Sequence, residues 1–558
     1  MKHIFIAVGG SGTKVAEALV NLLAIGFPTR VSETGLTSEG DTLEIWRLDP
    51  DGSSGAADAL QHTVDNYNKM QIELGGKWGI YIDPEIRHLD PLRLPQQSGA
   101  DNKIKTLEGI LDSGYEGLLS SQLFLRLFYR PKDLEVMIDR GFYQKPFIGS
   151  AVMAVFAESL NDGNSHGGSQ ARITYHESLD VRFFLCGSLH GGTGASGVPI
   201  MGTYLKRQRD GMQQANRWQI GACLLTPYSK PPDPPFNKLP EEDLLSEDLI
   251  TERVQQYGNT EAFRGLSIGE QRELAKQILL GFYADPRDMV TRAGQGLLYY
   301  QDHAGDCFDA LYLVGKPAPD ELRLWSNGGK SQQNPVNSAE VVGALAALDF
   351  FSATNPKQSG YIVGTSTPTL QSGRMRLSDL PHYRVREVEL DPERAFLAAA
   401  AMYHCVLHEV PWEENVAQFS RKALPALKEH YGRDENKKNE DRLHFFNAGN
   451  YLFNFIAALV FTDRTMGWSA DVNSALKKFL EHDENVYRDI HTKMEKKSLF
   501  NDRAKEPLVL GQAQIDVTAF EFGKWAPPNK EFTRGEYLRH VWQQLYGKDQ
   551  PAHRGIRA

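Results

Sequence analysis

Residues 3–8, HIFIAV, contain a short unbroken apolar run, IFIAV, that breaks into GGSG. Beyond the glycines, Val15, Ala18, Leu19, Leu22 and Leu23 recur at helical spacing. An unbroken run of this length predicts a strand buried on both faces, and the three-and-four spacing predicts an amphipathic helix. The grammar repeats. TLEIWRL at 42–48 runs into DPDGSSG, and DVRFFL at 180–185 runs into CGSLHGGTGASG and then a helix, VPIMGTYLKRQ. QIGACLLT at 219–226 and FDALYLVG at 308–315 supply two more strands. Strands alternating with helices predict an α/β fold, a mostly parallel sheet with helices on both faces.

Residues 104–140 read as helices. Six prolines crowd 227–240, opening a polar, mostly helical insertion over about 230–304. NPVNSAEVVGALAALDFF at 334–351 is apolar all round, which predicts a long central helix buried between two layers. Two strand-like runs follow, GYIVGTS and YRVREVEL, then a helix capped by Asp391 with Pro392 at its first position. The charged run GRDENKKNEDR at 432–442 predicts a solvated loop or helix end, and 443–500 read as helices. The expected organisation is a nucleotide-binding domain over 1–333, the central helix over 334–352, a divergent second domain over 353–430 and a helical C-terminal region over 431–558.

The 558 residues are 41% hydrophobic and 24% charged, enough for a large core and more than one domain. A net charge of -10 argues against general nucleic-acid binding, which needs a basic face. The four cysteines, Cys186, Cys223, Cys307 and Cys405, are far apart and read as buried free thiols of a reducing compartment. No window approaches a membrane-spanning helix, and the apolar run at the start is too short for a signal peptide. The expectation is a cytoplasmic protein with no membrane partner.

Several loops at strand ends carry chemistry suited to one part of a nucleotide. Gly9, Gly10 and Gly12 would let backbone amides approach phosphate oxygens, with Ser11 and Thr13 adding hydroxyl donors. Gly191, Gly192, Thr193 and Gly194 would form a nest of amides at a helix N-terminus, where the dipole also favours an anion. His190, beside them, is either a further phosphate donor or a filler of a small gap. Asp49 and Asp51 could hold hydrated Mg2+, or only cap a turn. Lys145 stands at a loop-to-helix junction, and the amides of Asn334 and Asn337 could read a base edge. Two other chemistries compete. GGSG could begin a dinucleotide site, although the acid at the right distance, Glu33, sits in a polar run that does not look like a strand end. His404 and His408 share a helix face but lack a third zinc ligand.

In order along residues 1–351, these loops resemble the tubulin/FtsZ superfamily. HGGTGASGVPI overlies the family's signature loop without a gap: Thr193, Gly194 and Pro199 match, while His190 replaces a glycine. VGGSGTKV, DPD at 49–51, KPFIG, LLTPY with Tyr228, and NPVNSAEVV resemble the family's remaining nucleotide loops. The resemblance is closest to divergent prokaryotic tubulin-like proteins. It implies GTP or GDP with Mg2+, and self-association into an oligomer or filament with slow hydrolysis at subunit contacts. The family's acidic residue after the central helix should fall near 362–367, where IVGTSTP has no carboxylate. Asp379 is the candidate catalytic acid elsewhere, followed by Glu393. The alternative is a nucleotide-gated sensor or scaffold that recruits partner proteins of a multi-gene system, such as an antiviral one, without turnover.

Overall fold

The structure is a computed structural model. It describes residues 1–32, 35–37, 40–73, 80–92, 106–114, 131–134, 138–139, 141–142, 145–161, 179–230, 289–300, 304–316, 319–321, 334–353, 361–365, 375–385 and 388–390, with shorter pieces elsewhere. In chain order, strand β1 is Lys2–Val8 and helix α1 is Gly9–Ala24. A small hairpin, β2 (Arg30–Ser32) and β3 (Gly35–Thr37), precedes β4 (Thr42–Leu48) and α2 (Gly55–Glu73). Then come β5 (Tyr81–Ile82), β6 (Arg87–Leu89), α3 (Leu107–Gly114), α4 (Pro131–Leu134) and α5 (Pro146–Asn161). They are followed by β7 (Val181–Ser188), α6 (Gly192–Asp210), β8 (Trp218–Leu225) and β9 (Ser229–Lys230). Next are α7 (Met289–Tyr299), β10 (Ala310–Val314), β11 (Asp320–Glu321) and α8 (Ser338–Ser352). β12 (Tyr361–Thr365), β13 (Tyr383–Val385), β14 (Val388–Leu390) and β15 (Val517–Glu521) complete the described elements.

Seven strands form one sheet, in the order β10-β8-β7-β1-β4 with β5 and β6 both on the outer edge of β4, and every pairing is parallel. Side chains alternate between two cores. Phe5, Ala7, Phe184 and Cys186 face α1, α2 and α8. Ile4, Ile6, Val8, Phe183 and Leu185 face α3, α5 and α6. Burial on both faces is why these strands are continuously apolar. The chain runs outward from β1 to β4 on one side and from β7 to β8 and β10 on the other. β1 and β7 therefore flank the point where the strand order reverses, and in open parallel sheets ligands bind outside the carboxyl ends at such a point.

Helix α8 is buried at every one of its 15 residues, as a strongly apolar helix should be, its polar Glu340 included. Its first turn lies at the carboxyl end of the sheet. Its last turn lies at the amino end, where Arg182, at the start of β7, donates to the carbonyls of Phe350, Phe351 and Ala353. The described residues after 353 do not form a core apart. Leu377, Leu380, Tyr383 and Val385 join the α1–α8 core, and the Tyr383 hydroxyl donates to Pro28 O, just past the end of α1.

Three sequence expectations are corrected. β7 runs three residues further than DVRFFL, because Cys186, Gly187 and Ser188 continue the pairing with β8. Helix α6 starts at Gly192 rather than at VPIM, so Pro199 lies inside it and most of the glycines are helical. YRVREVEL is two short antiparallel strands, not one. Cys186, Cys223 and Cys307 are buried free thiols, as expected. Cys405, His404, His408, Glu393 and most of 391–558 lie outside the described residues, as do Glu33, Ser366 and Thr367.

Candidate functional site

The two glycine segments meet at the reversal point. β1 passes straight into α1, with the bend taken at Gly9 in the left-handed region (φ 72), which glycine enters without penalty. A Cβ at Gly9 would stand 3.1 Å from Thr193 Cβ, so the N-termini of α1 and α6 are in contact. The other glycines serve close approach rather than flexibility. A Cβ on Gly12 would lie 2.2 Å from Cys186 O, and one on Gly194 would lie 2.5 Å from Ser188 N. Without side chains there, both helices settle directly on β7. Gly10 differs, since nothing lies within 4 Å of the place a Cβ would occupy. Two helix N-termini beside one open spot have the form that suits an anion.

The neighbouring loops close around this pair. Val8 and Leu48 are partners in register, so Asp49 leaves the sheet beside Gly9. Asp49 Oδ1 accepts from Asp51 N at 3.1 Å, and Asp51 Oδ1 accepts from Ser53 N at 3.0 Å, so both carboxylates shape the turn. Burial pushes the Asp49 carboxyl up to about 7 against the opposing pull of Arg47. The segment bearing Lys145 abuts α6: a Cβ on Gly192 would strike Phe142 at 2.7 Å. Lys145 Nζ donates to Asp133 at 3.2 Å. Among the described residues, no group of three or more His, Cys, Asp or Glu is placed to share a metal ion.

Hydrogen bonds tie the loop after β8 to the central helix. The Tyr228 hydroxyl, beside Ser11 of the first glycine segment, donates to Glu340 Oε1 at 2.8 Å. Glu340 Oε2 accepts from Asn337 N at 2.6 Å, and Asn337 Oδ1 accepts from Ala339 N, a complete capping box. The Asn337 amide also donates to Asp320, which pairs with Lys316 at the end of β10. Burial raises the Glu340 carboxyl to about 7, with Lys14 drawing it back down. Burial thus holds back part of the negative charge of Glu340 at neutral pH.

His190 sits between the two halves, buried, with its ring edge-on to Tyr228 at 6.5 Å between centroids. Its pKa falls to about 4, through burial first and then the charge of Arg292, so the ring is neutral. Helix α7 of the insertion packs here, since a Cβ on Gly296 would stand 3.3 Å from Leu189 O.

The structure thus gathers Gly9, Gly10, Ser11, Gly12, His190, Gly191, Gly192, Thr193, Gly194 and Tyr228 into one place. Thr13 is buried beneath it, its hydroxyl bonded to Gly9 O at 2.9 Å. Asn334 is half-buried on the approach to the cap. Asp379 lies apart. Tyr383, four residues on, packs at the C-terminal end of α1, and the Asp379 carboxylate accepts from Arg376 N, Nε and Nη2. Glu340 and Arg292 escaped the sequence reading. The Asn337–Glu340 spacing was the available sign of the capping box, and nothing local marks Arg292.

Strand order and site together define a class: a doubly wound α/β chain consistent with a Rossmann-like nucleotide-binding domain. No family model and no curated protein matches the chain. Among the described residues, no helix is long and apolar enough to cross a membrane.

Proposed function

We propose that this chain binds GTP or GDP with Mg2+ and assembles head to tail with copies of itself, in the manner of the tubulin/FtsZ superfamily it resembles. One observation carries the reading: the N-termini of α1 and α6 meet at the sheet's reversal point, with Gly9 against Thr193 and an open side at Gly10. The residues fit a nucleotide. The two N-termini suit its phosphates. Asp49, whose charge burial holds back, gains by facing a hydrated cation, and one or two carboxylates suffice for Mg2+ beside phosphates. Asn334, half-buried on the approach to the cap, is assigned the base edge by its position, while Asn337 has its amide bonded to Asp320 and Ala339.

Assembly is supported by the course of α8, which begins beside the nest and ends at the opposite end of the sheet. Asp379 belongs to that opposite end. In a head-to-tail contact, a carboxylate there meets the next subunit's nucleotide. Its three hydrogen bonds from Arg376 leave it poorly placed to act as a base, so turnover is slow. The same engagement favours the second reading, a nucleotide-gated scaffold that recruits the partner proteins of a multi-gene system, such as an antiviral one, without turnover.

The nucleotide released on denaturing the purified protein tests the binding. Adenine nucleotide, or none with no affinity for added GTP, overturns it. Phosphate release against protein concentration separates the two readings. Assembly-linked hydrolysis gives a rate per molecule that rises with concentration, and a scaffold gives none.

A further inference from the structure

The charge of Arg292, on helix α7 of the insertion, reaches His190 in the loop after β7. Helix α7 lays the face bearing Gly296 on Leu189. Arg292 is four residues earlier, one turn along the same face. Its guanidinium is close enough to the His190 ring to help lower the ring's pKa. His190 Nδ1 is buried and has no hydrogen-bond partner among the described residues. A buried, unpartnered ring nitrogen beside an arginine is a costly arrangement. It becomes favourable when an anion lies between the two and accepts from both. The neutral imidazole supplies one N–H, and the guanidinium supplies a charged fork matched to phosphate oxygens. His190 immediately precedes Gly191, the N-cap of α6, so such an anion is continuous with the glycine nest.

We propose that Arg292 reaches from the insertion to bind the terminal phosphate of a nucleoside triphosphate together with His190, so that α7 distinguishes triphosphate from diphosphate. This rests on the nucleotide reading above, which supplies the ligand. It assigns the insertion a part in the site, and it gives His190 a purpose that a glycine at that position could not serve.

Titration calorimetry on the full chain tests it, with GTP, GDP and inorganic tripolyphosphate as probes. The proteins are the wild type, Arg292→Gln and Arg292→Lys, each with its unliganded melting curve. Arg292→Gln should weaken GTP and tripolyphosphate roughly tenfold to a hundredfold, the range for a lost charged hydrogen bond, and GDP by less than about threefold. Arg292→Lys should recover part of the loss, and it stands in if the glutamine variant does not fold. Equal losses for GTP and GDP, or none, overturn the proposal and leave the nucleotide reading standing. Binding of tripolyphosphate but of neither nucleotide, with the loss in Arg292→Gln, upholds the anion pair and sinks the nucleotide reading. A wild type that binds none of the three overturns both.

Discussion

The Tyr228 hydroxyl donates to Glu340 Oε1 across 2.8 Å and 112 residues of chain. Through Asn337, that bond ties the loop after β8, beside Ser11, to the cap of the central helix. Both Glu340 oxygens are spoken for, in a place where burial opposes the charge.

This carboxyl makes stability depend on pH. Folding raises Glu340 from 4.5 and Asp49 from 3.8, both to about 7, chiefly by burial. The folded state therefore holds these protons more tightly than the unfolded chain. The stability they give is full below about pH 4 and is lost as pH rises through 7. Glu340→Gln should be more stable than wild type at pH 8 by about 1–3 kcal/mol, and should flatten part of the decline between pH 5 and 7. Asp49 keeps the remainder. Urea unfolding of the ligand-free proteins from pH 5 to 8 measures this, and parallel profiles would refute it.

The glycines divide into two kinds that substitution can tell apart. At Gly10 a new side chain meets open space, so Gly10→Val should melt within a few degrees of wild type yet lose nucleotide binding. At Gly192 the same change drives a side chain into Phe142, and the cost should be about 1–3 kcal/mol or more before any ligand is added. Melting curves and a nucleotide titration on both variants suffice. Unchanged affinity in a folded Gly10→Val protein counts against the phosphate site.

Asn337→Ala should act on the fold more than on base choice. It removes the acceptor for the buried Ala339 N and the donor to the half-buried Asp320. The expected destabilisation is roughly 1–3 kcal/mol, a lost cap plus a stranded partner. Affinities for GTP and ATP should fall by similar factors. A loss confined to GTP would return Asn337 to the base edge.

Arg182→Met keeps much of the side-chain volume and deletes the donors that close the last turn of α8. Three carbonyls, of Phe350, Phe351 and Ala353, lose their partner. We expect roughly 2–4 kcal/mol of destabilisation. Amide exchange should quicken at 349–353 while the first turn, held by its own cap, keeps its protection. Uniform exchange along the helix would contradict the pinning.

The strands were legible because burial on both faces writes itself as unbroken apolar runs, and α8 because it is apolar all round. Boundaries failed where glycine carried two meanings. Gly192, Gly194 and Gly197 read as loop, yet they are helical and exist so that α6 can lie against β7, β1 and Phe142. Asn337 read as a ligand group because spacing alone does not say where an amide's hydrogen bonds go. Arg292 was invisible for another reason. Its surroundings come from the β7–α6 loop, far away in the chain, so nothing local marks it.

Helix α8 is fastened at its first turn through Glu340 and at its last through Arg182, and it is enclosed along its whole length. Mechanically it is a connecting rod without slack. A helix cannot shorten without breaking its ladder of about 1.5 Å per residue, and the surrounding core leaves no room to bow. The 15 residues of α8 therefore fix a separation of roughly 20 Å between the Glu340 contact and the Arg182 contact.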